Sequence, residues 1–284
     1  MSIKIIADST CDLSPELIKK YSISVLPLHI VLGEKEYKDG LEISPDEIYD
    51  WSNTTKEAPK TSAVSFTDAV ELFKTNLETA DELICFSISG QMSTTNNVMR
   101  MAAEELEAED KIHIIDSANL STGGGLLVIE AAILAQEGKS SAEIVETIEA
   151  FKPLVRSSFI VDTLTFLHRG GRCSGAAALA GGALKLHPKI VVENGGMKPD
   201  KKYRGKMSSA ILSYAKDLEE ALKNARTDRV FITHSGCDEE IIKSIYDFVD
   251  ELQIFDEILI TRAGGVVSSH CGPGTLGVLF IEQV

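Results

Sequence analysis

Hydroxyl side chains gathered beside glycine are the feature of this sequence best suited to chemistry. They occur as Thr61-Ser62-Ala63-Val64-Ser65, Ser89-Gly90-Gln91-Met92-Ser93-Thr94-Thr95, Ser121-Thr122-Gly123-Gly124-Gly125 and Ser268-Ser269-His270-Cys271-Gly272-Pro273-Gly274-Thr275. At a helix entrance a Ser or Thr hydroxyl can donate to an anion without adding formal charge, and the free N–H groups and dipole of the helix favour the same ligand. The plainer reading is capping, with Ser65 and Ser93 accepting from the first helical turn. Two such stretches in one half of the chain, at 61–65 and 89–95, tilt the balance modestly towards a carboxylate or phosphate site. The third has neither a P-loop lysine nor G-x-G-x-x-G spacing, so its glycines suit close helix packing. The fourth is too rich in Gly and Pro to continue a helix or strand, and a turn is expected. His270 beside two serines suggests a nucleophile–base pair, the basis of a competing Ser/His hydrolase reading. No G-x-S-x-G elbow is present, and residue order alone does not make a triad.

Asp8-Ser9-Thr10-Cys11-Asp12 follows the first strand-like run, which places it at the carboxyl edge of a parallel sheet, where ligands of such folds bind. The alternative is an Asx or Ser turn. His168-Arg169-Gly170-Gly171-Arg172 sets two guanidinium groups beside glycines, and Lys198, Lys201, Lys202, Arg204 and Lys206 form the one basic run. Arginine can grip a carboxylate or phosphate with two prongs, although exposed arginines are commonly just solvated.

The composition bounds these readings. A formal charge of −15 repels nucleic acid and anionic lipid surfaces unless a local patch overcomes it. No run reaches the 18 apolar residues of a membrane span, so stable membrane insertion is not expected. No signal-peptide pattern follows Met1, which makes a cytoplasmic location the expectation. The five cysteines are scattered, and His234-x-x-Cys237 and His270-Cys271 do not complete a four-ligand set. Reduced thiols, no metal and no cofactor are expected.

Strand-like runs at 3–7, 25–32 (broken at Pro27), 83–88 and 111–116 alternate with helical patterns over 66–78 and 93–107, the signature of a parallel sheet. Ser44-Pro45-Asp46-Glu47 is a capping box with proline at the first helical position, and a further helix spans 140–151. Beyond Pro153, strands are expected at 155–161, 190–193, 230–233, 258–261 and 278–281, with helices at 207–224 and 238–251. The hairpin residues Asn194-Gly195-Gly196 make part of this second sheet antiparallel. The fold class expected is therefore α/β in two domains: a three-layer α/β/α domain on a parallel sheet over 1–154, and a two-layer, mixed-sheet α/β domain over 155–284.

These segments, in this order, resemble the DegV family of bacterial fatty-acid-binding proteins. The resemblance spans nearly the whole chain. It rests on Asp8-Ser9-Thr10 with Asp12-Leu13, Pro27-Leu28, Tyr37 with Asp39-Gly40, Thr61-Ser62, Ser93 with Thr95, and Asp116-Ser117; then on Asp162 with Leu164, Gly170-Gly171-Arg172, Lys202 with Arg204, His234, and His270 with Gly272-Pro273-Gly274. It implies a carrier that is not itself an enzyme. Thr61, Ser62, Ser93 and His270 would hold the carboxylate of a long-chain fatty acid, with Thr94 and Thr95 as additional head-group candidates. The acyl chain would run into an apolar tunnel between the domains. Arg172, Arg204 and Arg169 would face the partner, the ATP-binding subunit of a fatty acid kinase. The competing class is a free-standing enzyme, a hydrolase or a small-molecule kinase. The chain departs from the family pattern at Gly90, which stands for a serine, Met92 for a leucine, and Thr94 for a glycine; a positive φ at position 94 would be resisted by threonine.

Overall fold

The computed structural model describes residues 2–173 and 186–283. Strands β1 (Ile3–Asp8), β2 (Ser24–Leu26), β6 (Glu82–Ser87) and β7 (Ile112–Asp116) form a parallel sheet in the order β2-β1-β6-β7. Both its faces are covered, as its near-continuous apolar strands require. Ile6, Leu83, Cys85 and Ile112 pack beneath α3 (Phe66–Leu77) and α4 (Thr95–Glu105), while Ile5, Ala7, Ile84, Phe86 and Ile115 pack beneath α5 (Ser121–Gln136) and α6 (Ser141–Phe151). The three-layer expectation is met.

The stretch at 25–32 differs from expectation. Pro27 lacks an N–H for a ladder, and the chain changes sheets across it. β3 (His29–Leu32) joins a separate antiparallel sheet between β4 (Lys35–Lys38) and β5 (Lys60–Ser62). Thr61 and Ser62 therefore end a strand, paired with Ile30 and His29. They do not open a helix; α3 starts later, capped by Ser65. The helix α2 (Pro45–Thr55) carries the complete Ser44–Glu47 capping box.

In the second half, β8 (Val155–Ile160) leads to α7 (Thr165–Gly170), then β9 (Leu186–Glu193) and β10 (Gly196–Arg204). Asn194 and Gly195 take positive φ of 50° and 82° at the turn of the β9–β10 hairpin, the conformation such two-residue turns need. The expected helix at 207–224 breaks at Leu218 into α8 (Met207–Asp217) and α9 (Glu219–Lys223). β11 (Arg229–His234), α10 (Glu239–Glu251), β12 (Glu257–Arg262), α11 (Gly265–Cys271) and β13 (Leu276–Ile281) follow. The sheet order is β10-β9-β8-β13-β11-β12, antiparallel except between β11 and β12. Ser268–Cys271, expected in a turn, are the end of α11; the turn begins at Gly272, where φ is 78°.

Helix α5 explains how the two sheets meet. Residues 121–132 are buried all round, so no polar face is available, and the helix packs on β1 and β6 on one side and on β8, β11 and β13 on the other. Its glycines permit that approach. A Cβ at Gly123 would lie 2.2 Å from Ser157 Oγ, and one at Gly125 2.7 Å from the Cys11 carbonyl. We therefore expect Gly125→Ala to destabilise the protein. Overpacking costs about 1–3 kcal/mol and a backbone carbonyl cannot rotate away, whereas the gain in helix propensity is at most about 1 kcal/mol. A lower urea midpoint at unchanged slope is the expected result.

Candidate functional site

A cavity of about 520 Å³ opens where β5, the loop after β6, the end of α7 and α11 converge. Thr61, Ser62, Ser93, Thr94, Gln91, Arg172 and His270 supply its polar wall, and Leu28, Ile88, Met92, Leu120, Met197, Val266, Val267 and Cys271 its apolar one. A smaller chamber of about 30 Å³ adjoins it, sharing Leu120, Val267 and Cys271 and walled further by Phe159, Ala263 and Leu279.

The polar wall centres on one contact across 209 residues: Thr61 Oγ1 lies 2.8 Å from His270 Nε2. Burial first, and the positive charge of Arg172 second, push the His270 pKa down to about 4. The ring is thus neutral near pH 7 and acts as a hydrogen-bonding group. Its Nδ1 is buried without a partner among the described residues and sits over Gly170, where a Cβ would come within 2.1 Å of it.

Ser93 Oγ lies 2.9 Å from Thr95 Oγ1 and also accepts from the Thr95 N–H at 3.3 Å. Thr95 itself is fully buried and does not line the cavity; its contact is with Ser93. Thr94 does line it, with φ −84° and ψ 6°, so threonine replaces the family's glycine here without left-handed strain. Ser62 Oγ donates to Glu36 Oε1 at 3.3 Å. Arg172 is pinned at the rim, Nη1 donating to the Gly170 carbonyl at 2.7 Å and Nε to that of Met92 at 3.3 Å. Arg169, on α7, and Arg204, at the end of β10, are exposed and lie outside the cavity wall. At Gly90 the N–H donates to Asp116 Oδ2 at 3.1 Å, and a Cβ would approach that oxygen to 2.9 Å, so the family's serine would need Asp116 to move.

Other expectations resolve differently. Asp8 does cap its own turn, accepting from Thr10, and it also takes the Ile88 N–H at 2.7 Å. Asp12 faces the carboxyl edge of the sheet, where it accepts from Gly264 at the start of α11. Ser268 and Ser269 donate to the carbonyls of Ala263 and Gly265, so neither pairs with His270. Among the described residues no group meets Nδ1, so the Thr61–His270 pair has there no third group of the kind that orients the base of a triad. His234 Nδ1 accepts from the N–H groups of Gly236 and Cys237, and among the described residues no three His, Cys, Asp or Glu side chains converge as metal ligands. No helix among them is long and apolar enough to cross a membrane.

Sequence reasoning missed the bracing of the 89–94 loop. Ser89 Oγ donates to the Gly195 carbonyl at 2.7 Å, and Gln91 Nε2 to that of Asn194, tying the loop to the hairpin tip. Nothing local signals a contact across 106 residues.

The family profile described as "Uncharacterised protein, DegV family" matches residues 2–283. The chain belongs to the DegV family. A DegV domain-containing protein of Deinococcus radiodurans is 33% identical over 278 residues, covering 98% of each chain. Among solved structures, a DegV family protein from Thermus thermophilus, described as binding fatty acid, is 30% identical with a TM-score of 0.90 over 100% of both chains. Bacillus subtilis DegV, described as a fatty acid binding protein, is 28% identical with a TM-score of 0.86 over 100% of both. A stearic acid-binding protein from Eubacterium ventriosum is 28% identical with a TM-score of 0.85, over 99% of this chain and 98% of that one. This DegV protein thus shares the fold of relatives described as fatty acid binders.

Proposed function

We propose that the protein binds a long-chain fatty acid, with its carboxylate against Thr61, Ser62, Ser93 and His270, and presents that carboxylate to the ATP-binding subunit of a fatty acid kinase. The observation that carries this reading is the Thr61–His270 contact on the hydroxyl-lined wall of a cavity whose other wall is apolar. A volume of about 520 Å³ suits a ligand of this size. Burying about 14 methylenes at roughly 0.8 kcal/mol each supplies on the order of 11 kcal/mol before association costs, so the tail dominates affinity. The carboxylate is costly to bury unless it is hydrogen-bonded. Hydroxyls meet that need, and a neutral His270 adds a hydrogen bond without the fixed clamp of a second cation. Residues 1–154 and 155–284 are taken as the two bodies that flank the ligand.

In the kinase step, a carboxylate oxygen attacks the γ-phosphorus of the partner's ATP. The new C–O–P linkage forms as the bond to the β,γ-bridging oxygen breaks and ADP leaves. The carboxylate is already ionised at neutral pH, so no base is required. This chain contributes positioning, and the partner contributes nucleotide and metal. Arg204, Arg169 and the rim arginine Arg172 offer it a basic surface, and the need for ATP makes the cytoplasm the setting.

Mass spectrometry of the denatured protein should release a C14 to C18 acid; an empty protein that takes up none overturns the proposal. Ser93→Ala should weaken binding about tenfold with little loss of fold, the worth of one hydrogen bond to a charged group. Unchanged affinity removes Ser93 from the site. Arg204→Ala should leave bound acid untouched and abolish acyl phosphate formation with the kinase; full activity would remove Arg204 from the docking surface.

A further inference from the structure

Helix α11 supplies four residues of the cavity wall, Val266, Val267, His270 and Cys271, yet its own sequence provides no side-chain cap. Its first N–H groups are met from the other half of the chain. Asp12 Oδ1 accepts from Gly264 N–H and Asp39 Oδ1 from Gly265 N–H, both at 2.8 Å. The remaining carboxylate oxygens are engaged as well: Ser121 Oγ donates to Asp12 Oδ2, and Ser9 Oγ to Asp39 Oδ2 at 2.8 Å. Both carboxylates are buried, with Asp12 5% and Asp39 3% exposed.

Two buried carboxyl groups are an unusual way to cap a helix, since burial penalises their charged form and Ser or Asn would serve with no charge to desolvate. What they add is a fixed place. The glycines fit closely around them: a Cβ at Gly264 would stand 3.1 Å from Asp12 Oδ1, and one at Gly265 2.5 Å from Ile30 Cδ1 and 2.8 Å from Asp39 Oδ1. From this clamp to His270 is five residues of helix, about 7.5 Å at 1.5 Å per residue. Ser269 Oγ, bonded to the Gly265 carbonyl at 2.7 Å, ties the two ends together. A tilt of about 10° at the clamp would move His270 by about 1.3 Å, enough to stretch a 2.8 Å contact with Thr61 beyond hydrogen-bonding range.

We propose that Asp12 and Asp39 are positioning residues for the head-group site: by clamping the start of α11 they set where His270 meets Thr61. The clamp belongs to the site proposed above and rests on that reading for its ligand, but its effect on the His270 ring does not depend on any ligand.

The test is a double-mutant cycle with palmitic acid as the probe, read by calorimetry, together with 15N NMR of the His270 ring in protein stripped of lipid. Asp39→Ala and His270→Ala should each weaken palmitate binding by about tenfold or more, and the double variant should lose little beyond the worse single, because both remove one contact. Asp39→Asn keeps an oxygen for the Gly265 N–H and should restore affinity to within about threefold of the parent. The ring 15N shifts should move in Asp39→Ala and stay in place in Asp39→Asn. Should Asp39→Ala not fold, Ser9→Ala, which frees one carboxylate oxygen, should shift the ring in the same direction by less. Multiplicative losses in the cycle, or ring shifts unmoved in Asp39→Ala or, failing that, in Ser9→Ala, overturn the inference. If the parent protein takes up no palmitate, the function proposed above falls, while the ring shifts still decide the role of the clamp.

Discussion

Gly170→Ala is expected to weaken fatty acid binding by at least about tenfold, the worth of one hydrogen bond to a charged group, with helix content unchanged. On propensity alone the substitution should help, since alanine in place of glycine at the end of α7 is worth up to about 1 kcal/mol. The contact works the other way. The new Cβ would lie 2.1 Å from His270 Nδ1, an overlap of more than 1 Å against ordinary van der Waals contact. Neither α7 nor the ring can absorb this cheaply: Gly170 O holds the Arg172 guanidinium, and the ring is held at Nε2 by Thr61. The ring turns, and the Thr61 contact is lost with it. Titration calorimetry with palmitate would show the loss as weaker binding at unchanged stoichiometry. Gly138, with φ of 80° just past the end of α5 and outside the cavity wall, makes a control: Gly138→Ala should cost about 1 kcal/mol of stability while affinity holds.

How much of this was legible in the sequence depends on the range of the interaction. The parallel sheet, the capped helices and the Asn194-Gly195 hairpin follow from periodicity and local turn chemistry, and the structure has them. The separate sheet of β3, β4 and β5 was not legible, because β4 and β5 are short, polar and mostly exposed, and their pairing is long-range. For α5 only the close packing at Gly123 to Gly125 was visible, not that the helix would be buried on all sides or what would cover each. At the site, the hydroxyl stretches were readable as possible anion binders, whereas spacing alone never distinguished them from caps. Ser93 shows why: it accepts from the start of a helix and lines the cavity at once. The motif read as site-facing, Asp8 to Asp12, does sit at the edge where ligands of such sheets bind. That edge is filled by α11, which arrives from more than 250 residues away. No local pattern predicts that a carboxylate there will meet a backbone N–H and not a ligand.

The same clamp makes the protein's stability depend on pH in a direction opposite to most acidic proteins. Burial raises the pKa of Asp12 to about 8, against the opposing hydrogen bonds from Ser121 and Gly264 and with the charges of Asp39 and Asp8 adding to the rise. Burial likewise raises Asp8 to about 6 and raises Asp39. The facing thiols of Cys11 and Cys271 are pushed up by burial, far above the neutral range, and stay neutral here. A carboxyl whose folded pKa exceeds its unfolded value of 3.8 holds its proton more tightly when folded. Between about pH 4 and pH 8 the folded state therefore carries the extra protons, and stability falls as pH rises through that window. At the surface, Glu47, Asp81 and Glu143 have lowered pKa values and act with the opposite sign in the acid range below it, and the lowered pKa values of His270 and His234 oppose the carboxyls up to their ordinary 6.5, so the fall is clearest between about pH 6.5 and pH 8. Asp12→Asn removes this raised carboxyl without removing the clamp. Its carboxamide oxygen can still accept from Gly264, its NH2 can donate to Ser121 Oγ, and asparagine tolerates the left-handed φ of 50° found at this position. The variant should therefore melt higher than the parent at pH 8.5, by an amount on the order of a few kcal/mol of stability, and the gap should shrink steadily towards pH 4, near the unfolded value of 3.8. Calorimetric melting across pH 4 to 9, a window set by these shifts, checks it. The histidines cancel in the comparison of parent with variant, so a gap that stays constant across that range would mean that Asp12 is ionised in the fold at no cost and that the clamp carries a charge which burial does not penalise.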